Sequence, residues 1–138
     1  MISEIDKLFI WKGFPGPAMT DGGQGGSHYY MKTRNSKPNF EAMWNFVPAQ
    51  SGYFDVYVFA PASLRATQSA VYQVFHGGQL SPGVLVDQTA YPDQWVLLGN
   101  YYFTGGQTGQ YVYLNNQTED ETATRDVLVD AVMIIYTP

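Results

Sequence analysis

The chain has no cysteine among its 138 residues. That rules out disulfides, thiolate metal sites and a cysteine nucleophile, and leaves the redox compartment open. Charge is scarce as well: Asp, Glu, Lys and Arg together make 14% of residues, against roughly 25% in an average globular chain. Only seven Lys and Arg oppose twelve Asp and Glu, for a net charge of −5. Such a chain is poorly equipped to neutralise phosphates, so nucleic acid is not expected as a partner. No apolar run approaches the roughly 20 residues of a membrane span, so no membrane insertion is expected. The start, Met1 to Asp6, lacks the basic and apolar segments of a signal peptide. It fits either a module of a longer secreted chain or a protein, such as a virion component, that reaches its destination by another route. Histidine is confined to His28 and His76, and neither stands in a metal-ligand spacing such as His-Glu-x-x-His.

What is abundant is the ring. Aromatics reach 16%, with eleven Tyr, eight Phe and three Trp, in a chain that is 45% apolar. They fall in short runs separated by Gly, Pro and Asn, and no run has helical period. Phe40, Ala42, Trp44 and Phe46 alternate with polar or softer residues. In Tyr53 to Ala60, Phe54, Val56, Val58 and Ala60 share one face, and Tyr53, Asp55, Tyr57 and Phe59 share the other. Ala70, Tyr72 and Val74 group in the same way. Further strands are expected at 83–88, 95–103 and 111–114, and one long final strand at 126–136 that is apolar on both faces, hence central or covered. An edge strand is expected within 2–11, anchored by Ile2, Leu8, Ile10 and Trp11.

Eight or nine short strands at this spacing predict an all-β chain, a single two-sheet antiparallel β-sandwich of jelly-roll type spanning residues 1–138. The Gly/Pro-rich stretch at about 13–27 reads as a loop or arm, long enough to suggest a contact role.

The run of motifs resembles the golvesin C-terminal-like domain, a β-sandwich module also found attached to xanthan lyases. Carrying the likeness are Trp44-x-Phe46-x-Pro48, Gly52-Tyr53, Tyr57, Ala70-x-Tyr72-x-Val74-x-His76-Gly77-Gly78, and Val86-Asp87-Gln88. It continues through Gln94-Trp95, Leu98-Gly99, Tyr101-x-Phe103 and Asp130-Ala131-Val132. The chain departs from the pattern in its acidic 115–125 loop and in Met133, where a basic residue is usual. The resemblance implies a non-catalytic module of polysaccharide-acting or surface proteins, with no binding residues to carry over.

Candidate contact residues therefore come from the pattern alone. Tyr53, Tyr57 and Phe59 oppose the apolar face of their strand, and Tyr111 and Tyr113 flank Val112 likewise; rings on an outer face call for a ligand, a protein partner or a covering loop. Trp11, Tyr29, Tyr30 and Tyr91, with His28 and Asp93 nearby in type, could line a sugar site at one edge. Trp95 and Trp44 read as core. Asp87, Asp93 and Asp55 supply carboxylates, but nothing pairs two of them across a groove as glycoside hydrolysis needs. Asp130 reads as a buried carboxylate bonded to loop amides.

Glu119-Asp120-Glu121 lacks the spaced oxygens of a Ca²⁺ loop and reads as a solvated acidic loop. Lys32, Arg34 and Lys37 form a small basic stretch. Asn116-Gln117-Thr118 matches a glycosylation sequon. No metal, cofactor or enzymatic activity is expected.

Two readings follow. The first is a carbohydrate-binding-like module of a surface or secreted protein that stacks rings on sugar faces. The alternative is a structural or assembly protein, such as a virion decoration, filament or surface-layer subunit, which would bind copies of itself or neighbouring proteins, as a homo-oligomer, through its outer rings and the Gly/Pro arm.

Overall fold

The computed structural model describes residues 3–6, 9–14 and 16–138. Along them run thirteen strands and one 3-10 turn. They are β1 (Ser3–Asp6), β2 (Ile10–Gly13), β3 (Ala18–Asp21), the turn Gln24–Gly26, β4 (Ser27–Lys32), β5 (Phe40–Asn45) and β6 (Gly52–Ala60). There follow β7 (Ala70–His76), β8 (Gln79–Leu80), β9 (Val84–Val86), β10 (Gln94–Phe103), β11 (Tyr111–Asn115), β12 (Asp126–Val129) and β13 (Val132–Thr137). The first sheet has the order β1-β13-β6-β10 and the second β2-β5-β11-β7-β8, with β9 also on β7. A third, small sheet runs β12-β4-β3. The all-β antiparallel sandwich expected from the pattern is present, with more strands than the eight or nine expected.

The period-2 pattern does what it predicts. Phe40, Ala42 and Trp44 on β5, Phe54, Val56 and Val58 on β6, Ala70, Tyr72 and Val74 on β7, and Val112 and Leu114 on β11 are all buried in one core. Rings close one end of it, where Phe46, Phe54 and Phe103 meet edge to face at 5.2–5.8 Å.

Three expectations about elements are corrected. The segment 2–11 is not one edge strand: β1 lies at the edge of the first sheet and β2 at the edge of the second, while Ile2 and Leu8 fall outside the described residues. The Gly/Pro-rich stretch contains β3, whose hydrogen bonds go to β4. The final apolar run is two strands, because β12 pairs with β4 while β13 pairs with β6 and β1. The break falls at Asp130 and Ala131, which are both buried.

A buried break frees backbone groups that must find partners. The Trp44 indole Nε1 donates to the Asp130 carbonyl at 3.0 Å, and the Phe59 amide to the Ala131 carbonyl at 2.9 Å. The Asp130 carboxylate accepts from the Gln24 amide at 2.9 Å, the loop-amide bond the sequence suggested. Gly23 stands so close that a Cβ there would clash with Asp130 Oδ2, and its φ of +89° also favours glycine.

Two buried amides do similar work elsewhere. Gln88 acts as a substitute strand for β12, accepting from the Leu128 amide and donating to the Leu128 carbonyl, both at 2.9 Å. It also donates to the Tyr72 hydroxyl at 3.1 Å. Asn116 accepts from the Asn39 and Phe40 amides, both at 3.1 Å, and donates to the Lys32 carbonyl at 2.8 Å and to Asn39 Oδ1 at 2.7 Å. The sequon asparagine is thus buried with its amide nitrogen fully engaged, and the folded chain offers no acceptor there.

Asn116→Ala leaves two amides and a carbonyl without their partner, and a loss of about 3 kcal/mol is expected in chemical denaturation; a loss under about 1 kcal/mol would show that water substitutes freely. Burial, only partly offset by the Gln88 hydrogen bond and reinforced by the charge of Asp130, pushes the Tyr72 phenol well above its ordinary 10.0. A raised folded-state pKa contributes stability that is complete below pH 10 and lost as pH rises beyond it, since the unfolded chain ionises first. Tyr72→Phe should therefore lose less stability than wild type between pH 9 and 11. Parallel declines in the two proteins would contradict this.

Candidate functional site

The outer face of the first sheet is built by β6, β10 and β13. On β6 the residues opposite the core are Tyr53, Asp55 and Tyr57. Their register partners on β10 are Tyr102, Asn100 and Leu97, and on β13 Thr137, Ile135 and Met133. A β-bulge between Leu97 and Gly99 inserts Leu98 into the core and returns Asn100 and Tyr102 to the outside. Without it Asn100 and Tyr102, rather than Tyr101 and Phe103, would turn toward the core.

The result mixes rings with planar polar groups. Tyr53 and Tyr102 are 55% and 42% exposed, and their rings meet edge to face at 5.2 Å. Between the tyrosines runs a hydrogen-bonded row: Asn100 Nδ2 donates to Asp55 Oδ1 at 3.0 Å and to Thr137 Oγ1 at 2.9 Å, and Thr137 Oγ1 donates to the Tyr53 carbonyl at 2.9 Å. Beside the row lies an open depression of about 690 Å³ lined by Gln50, Asp55, Tyr57, Ile135, Tyr136 and Thr137, with Pro138 at its end.

Phe59 does not belong to this surface. It is 7% exposed, because Trp95, its register partner, lies edge to face on it at 5.1 Å. Trp95 in turn is half-buried and sits on the outer side of its strand, not in the core. One ring covers the other, and the expected row of three outer rings on β6 is reduced to Tyr53 and Tyr57.

Tyr111 and Tyr113 lie on the outer face of the second sheet, both half-buried. Tyr111 stacks flat on Phe75 at 5.1 Å. Tyr113 donates to Glu41 at 2.8 Å, and burial, together with that carboxylate, raises its phenol above the ordinary value. Ile10, Leu80 and Leu85 are exposed at the margins of this face.

The four edge aromatics do not converge. Trp11 stacks on Phe40 at 6.3 Å from the end strand of the second sheet. Tyr29 packs on Phe9 at 5.4 Å. Tyr30 points to the opposite side of β4, and Tyr91 sits exposed in the turn before β10. His28 is buried, its Nδ1 3.0 Å from the Gly22 carbonyl. His76 ends its strand, with Nδ1 3.0 Å from the Tyr102 carbonyl.

The loose carboxylates are occupied as well. Asp87 accepts from the amide and hydroxyl of Thr89, which hold its pKa below the ordinary value, and Asp93 accepts from the Ala62 amide at 3.1 Å. Asp120, read as part of a solvated loop, is half-buried and takes the hydroxyls of Thr67 and Thr118. Among the described residues no group of His, Asp and Glu gathers as a metal site.

Sequence reasoning missed Leu97, Asn100 and Tyr102. A signal existed in Gly99, since a glycine inside a strand often marks a bulge, but where the bulge falls is set by pairing with β6.

No curated protein sequence matches the chain. Among solved structures it is similar to a Paenibacillus xanthan lyase, with a TM-score of 0.77 and 22% identity over 99% of this chain and 13% of that one. It is also similar to a family 35 carbohydrate-binding module from Clostridium thermocellum, with a TM-score of 0.61 and 13% identity over 96% of this chain and 98% of that one. A CBM35 from Cellvibrio japonicus aligns with a TM-score of 0.53 and 12% identity over 95% of both chains. The chain thus spans about an eighth of the xanthan lyase and nearly the whole of the two binding modules, and at these identities the likeness is one of fold. The model of the Golvesin C-terminal domain matches residues 16–136, and the chain belongs to that family.

Proposed function

We propose that the chain is a non-catalytic carbohydrate-binding module of a secreted or surface protein, and that it takes a polysaccharide across the outer face of its first sheet. The observation that carries this reading is the exposed Tyr53–Tyr102 pair, with Tyr57 across the Asp55–Asn100–Thr137 row. Sugars present an apolar face of C–H groups and a rim of hydroxyls. Tyrosine offers a broad apolar body with a polar tip to the first, and fixed carboxylate and amide groups suit the second. Asp55 and Asn100 are already oriented by each other, so little side-chain freedom is lost on binding. The depression beside Tyr57 is open along the sheet, which suits a chain passing over it. The fold shared with two carbohydrate-binding modules, and with part of a lyase named for a polysaccharide, agrees in direction.

A second reading is a structural contact through the outer face of the second sheet. The exposed Ile10, Leu80 and Leu85 around the Phe75–Tyr111 stack favour it. Its test is light scattering at high concentration, where a clean monomer counts against self-association.

For the first reading, native gels cast with neutral and acidic polysaccharides should retard the protein in at least one case. In that gel, Tyr53→Ala and Tyr57→Ala should each weaken binding about tenfold, equivalent to about 1.4 kcal/mol. Tyr111→Ser on the opposite sheet should leave retardation unchanged. Wild-type mobility unaltered across the panel would defeat the proposal, as would Tyr53 and Tyr57 variants retarded like wild type.

A further inference from the structure

A sheet edge without a neighbour invites another strand unless it is short, charged or covered. Most edges of this molecule are guarded in one of these ways. β2, β3 and β12 are four residues each and carry Lys12, Asp21 and Asp126; β1 is as short, and β8 and β9 have two and three residues. Among the described strands β10 is the exception. It ends the first sheet, runs for ten residues and holds neither a charge nor a proline.

Which backbone groups β10 leaves open follows from its pairing. The Phe59 amide donates to the Ala131 carbonyl, on the β13 side. Its register partner Trp95 therefore turns its own amide and carbonyl away from β6, and Leu97, two residues on, does the same. Past the bulge the pattern resumes at Asn100 and Tyr102, where His76 Nδ1 lies 3.0 Å from the outward Tyr102 carbonyl. The backbone groups of Trp95 and Leu97 have no such partner among the described residues. Side chains give a second, independent sign of an open edge. Val58, facing the core from β6, is 2% exposed, whereas Val96, its β10 partner on the same side, is half-buried. Leu97, on the outer side, is 51% exposed.

We propose that this edge pairs with the same edge of a second copy of the chain, antiparallel and about a two-fold axis at Val96. The segment is self-complementary there. With Val96 facing the partner's Val96, Trp95 stands opposite the partner's Leu97 and exchanges amide and carbonyl bonds with it, and Leu97 does so with the partner's Trp95. On the outer side each indole then lies beside an exposed leucine, an aromatic–aliphatic cross-strand pair. On the inner side the two half-buried valines meet. No charges are brought together, since Gln94–Phe103 holds none, and this matters in a chain of net charge −5. The bulge after Leu97 limits the contact to a few residues of each copy. That falls below the roughly 800 Å² per partner of a stable complex, so the dimer is weak and reversible. It joins the two four-stranded sheets edge to edge with their outer faces on one side, so a polysaccharide bound there meets two sets of tyrosines. The pairing itself does not depend on the carbohydrate reading.

Sedimentation velocity without polysaccharide tests the assembly, and amide hydrogen exchange read by NMR tests the surface. From about 10 µM to about 1 mM the sedimentation coefficient should rise toward that of a dimer, with a dissociation constant on the order of 0.1 mM. Over the same range exchange at the Trp95 and Leu97 amides should slow about fivefold, while Val96, directed at β6, exchanges slowly throughout. Leu97→Lys, at an exposed position, should raise the dissociation constant at least about tenfold. Leu80→Lys, on the second sheet, should leave it unchanged. A monomer at every concentration would overturn the pairing and leave the edge to a foreign strand. So would a dimer that survives Leu97→Lys, dissolves with Leu80→Lys, or leaves the Trp95 and Leu97 amides unprotected. Retardation by polysaccharide is read separately, so either claim can fail alone.

Discussion

The structure depends on how one apolar segment near the C-terminus is shared between two sheets. Residues 126–129 are buried on both sides whereas 132–137 are buried on one, and one straight strand would have committed them all to a single sheet. The break at Asp130 and Ala131 lets β12 complete the small third sheet and β13 take its place between β6 and β1. Such a break is tolerable in a dry interior only because the freed carbonyls find the Trp44 indole and the Phe59 amide, and because Asp130 finds the Gln24 amide. The same break sets the register of β13, which brings Thr137 opposite Tyr53 and Ile135 opposite Asp55. The outer face of the first sheet therefore inherits its polar row from a constraint that lies inside the core.

Once the inner faces are filled, rings remain. Phe59 and Trp95 cover each other, and Tyr111 lies flat on Phe75, so part of the aromatic excess is absorbed by the protein itself. Tyr53, Tyr57 and Tyr102 are the rings set beside the Asp55–Asn100–Thr137 row. What separates the two outer faces is exposure: Tyr53 and Tyr102 stand open to solvent, whereas Tyr111 is stacked on Phe75 and Tyr113 is held by Glu41 and Asn115.

Much of the fold was legible in the sequence, and for a clear reason. Strict alternation in β5, β6, β7 and β11 assigns each side chain to a face without knowledge of its partner. Elements that depend on partners were not legible. The bulge in β10 moved Trp95 outward and hid Phe59. The split of the last strand falls at Asp130, the one charged residue between Val127 and Tyr136, which the sequence marks as a buried carboxylate but not as the end of a strand. The short β3 lies inside a segment whose composition reads as a loop. Of the first-sheet face, Tyr53 and Tyr57 could be read from β6 alone, whereas Asn100 and Tyr102 could not, because the bulge before them reverses the pattern. Asn116 and Gln88 were invisible as organising residues, since a buried amide looks in sequence like any loop amide.

The central claim is that tyrosines on the first sheet, and not those on the second, meet a sugar chain. Hydroxyl-radical footprinting read by mass spectrometry tests it at the level of single rings. With a polysaccharide that retards the protein in native gels, the account predicts reduced oxidation at Tyr53, Tyr57 and Tyr102 and unchanged oxidation at Tyr111 and Tyr113. Equal labelling of the first-sheet tyrosines with and without polysaccharide, or protection confined to the second sheet, would contradict it.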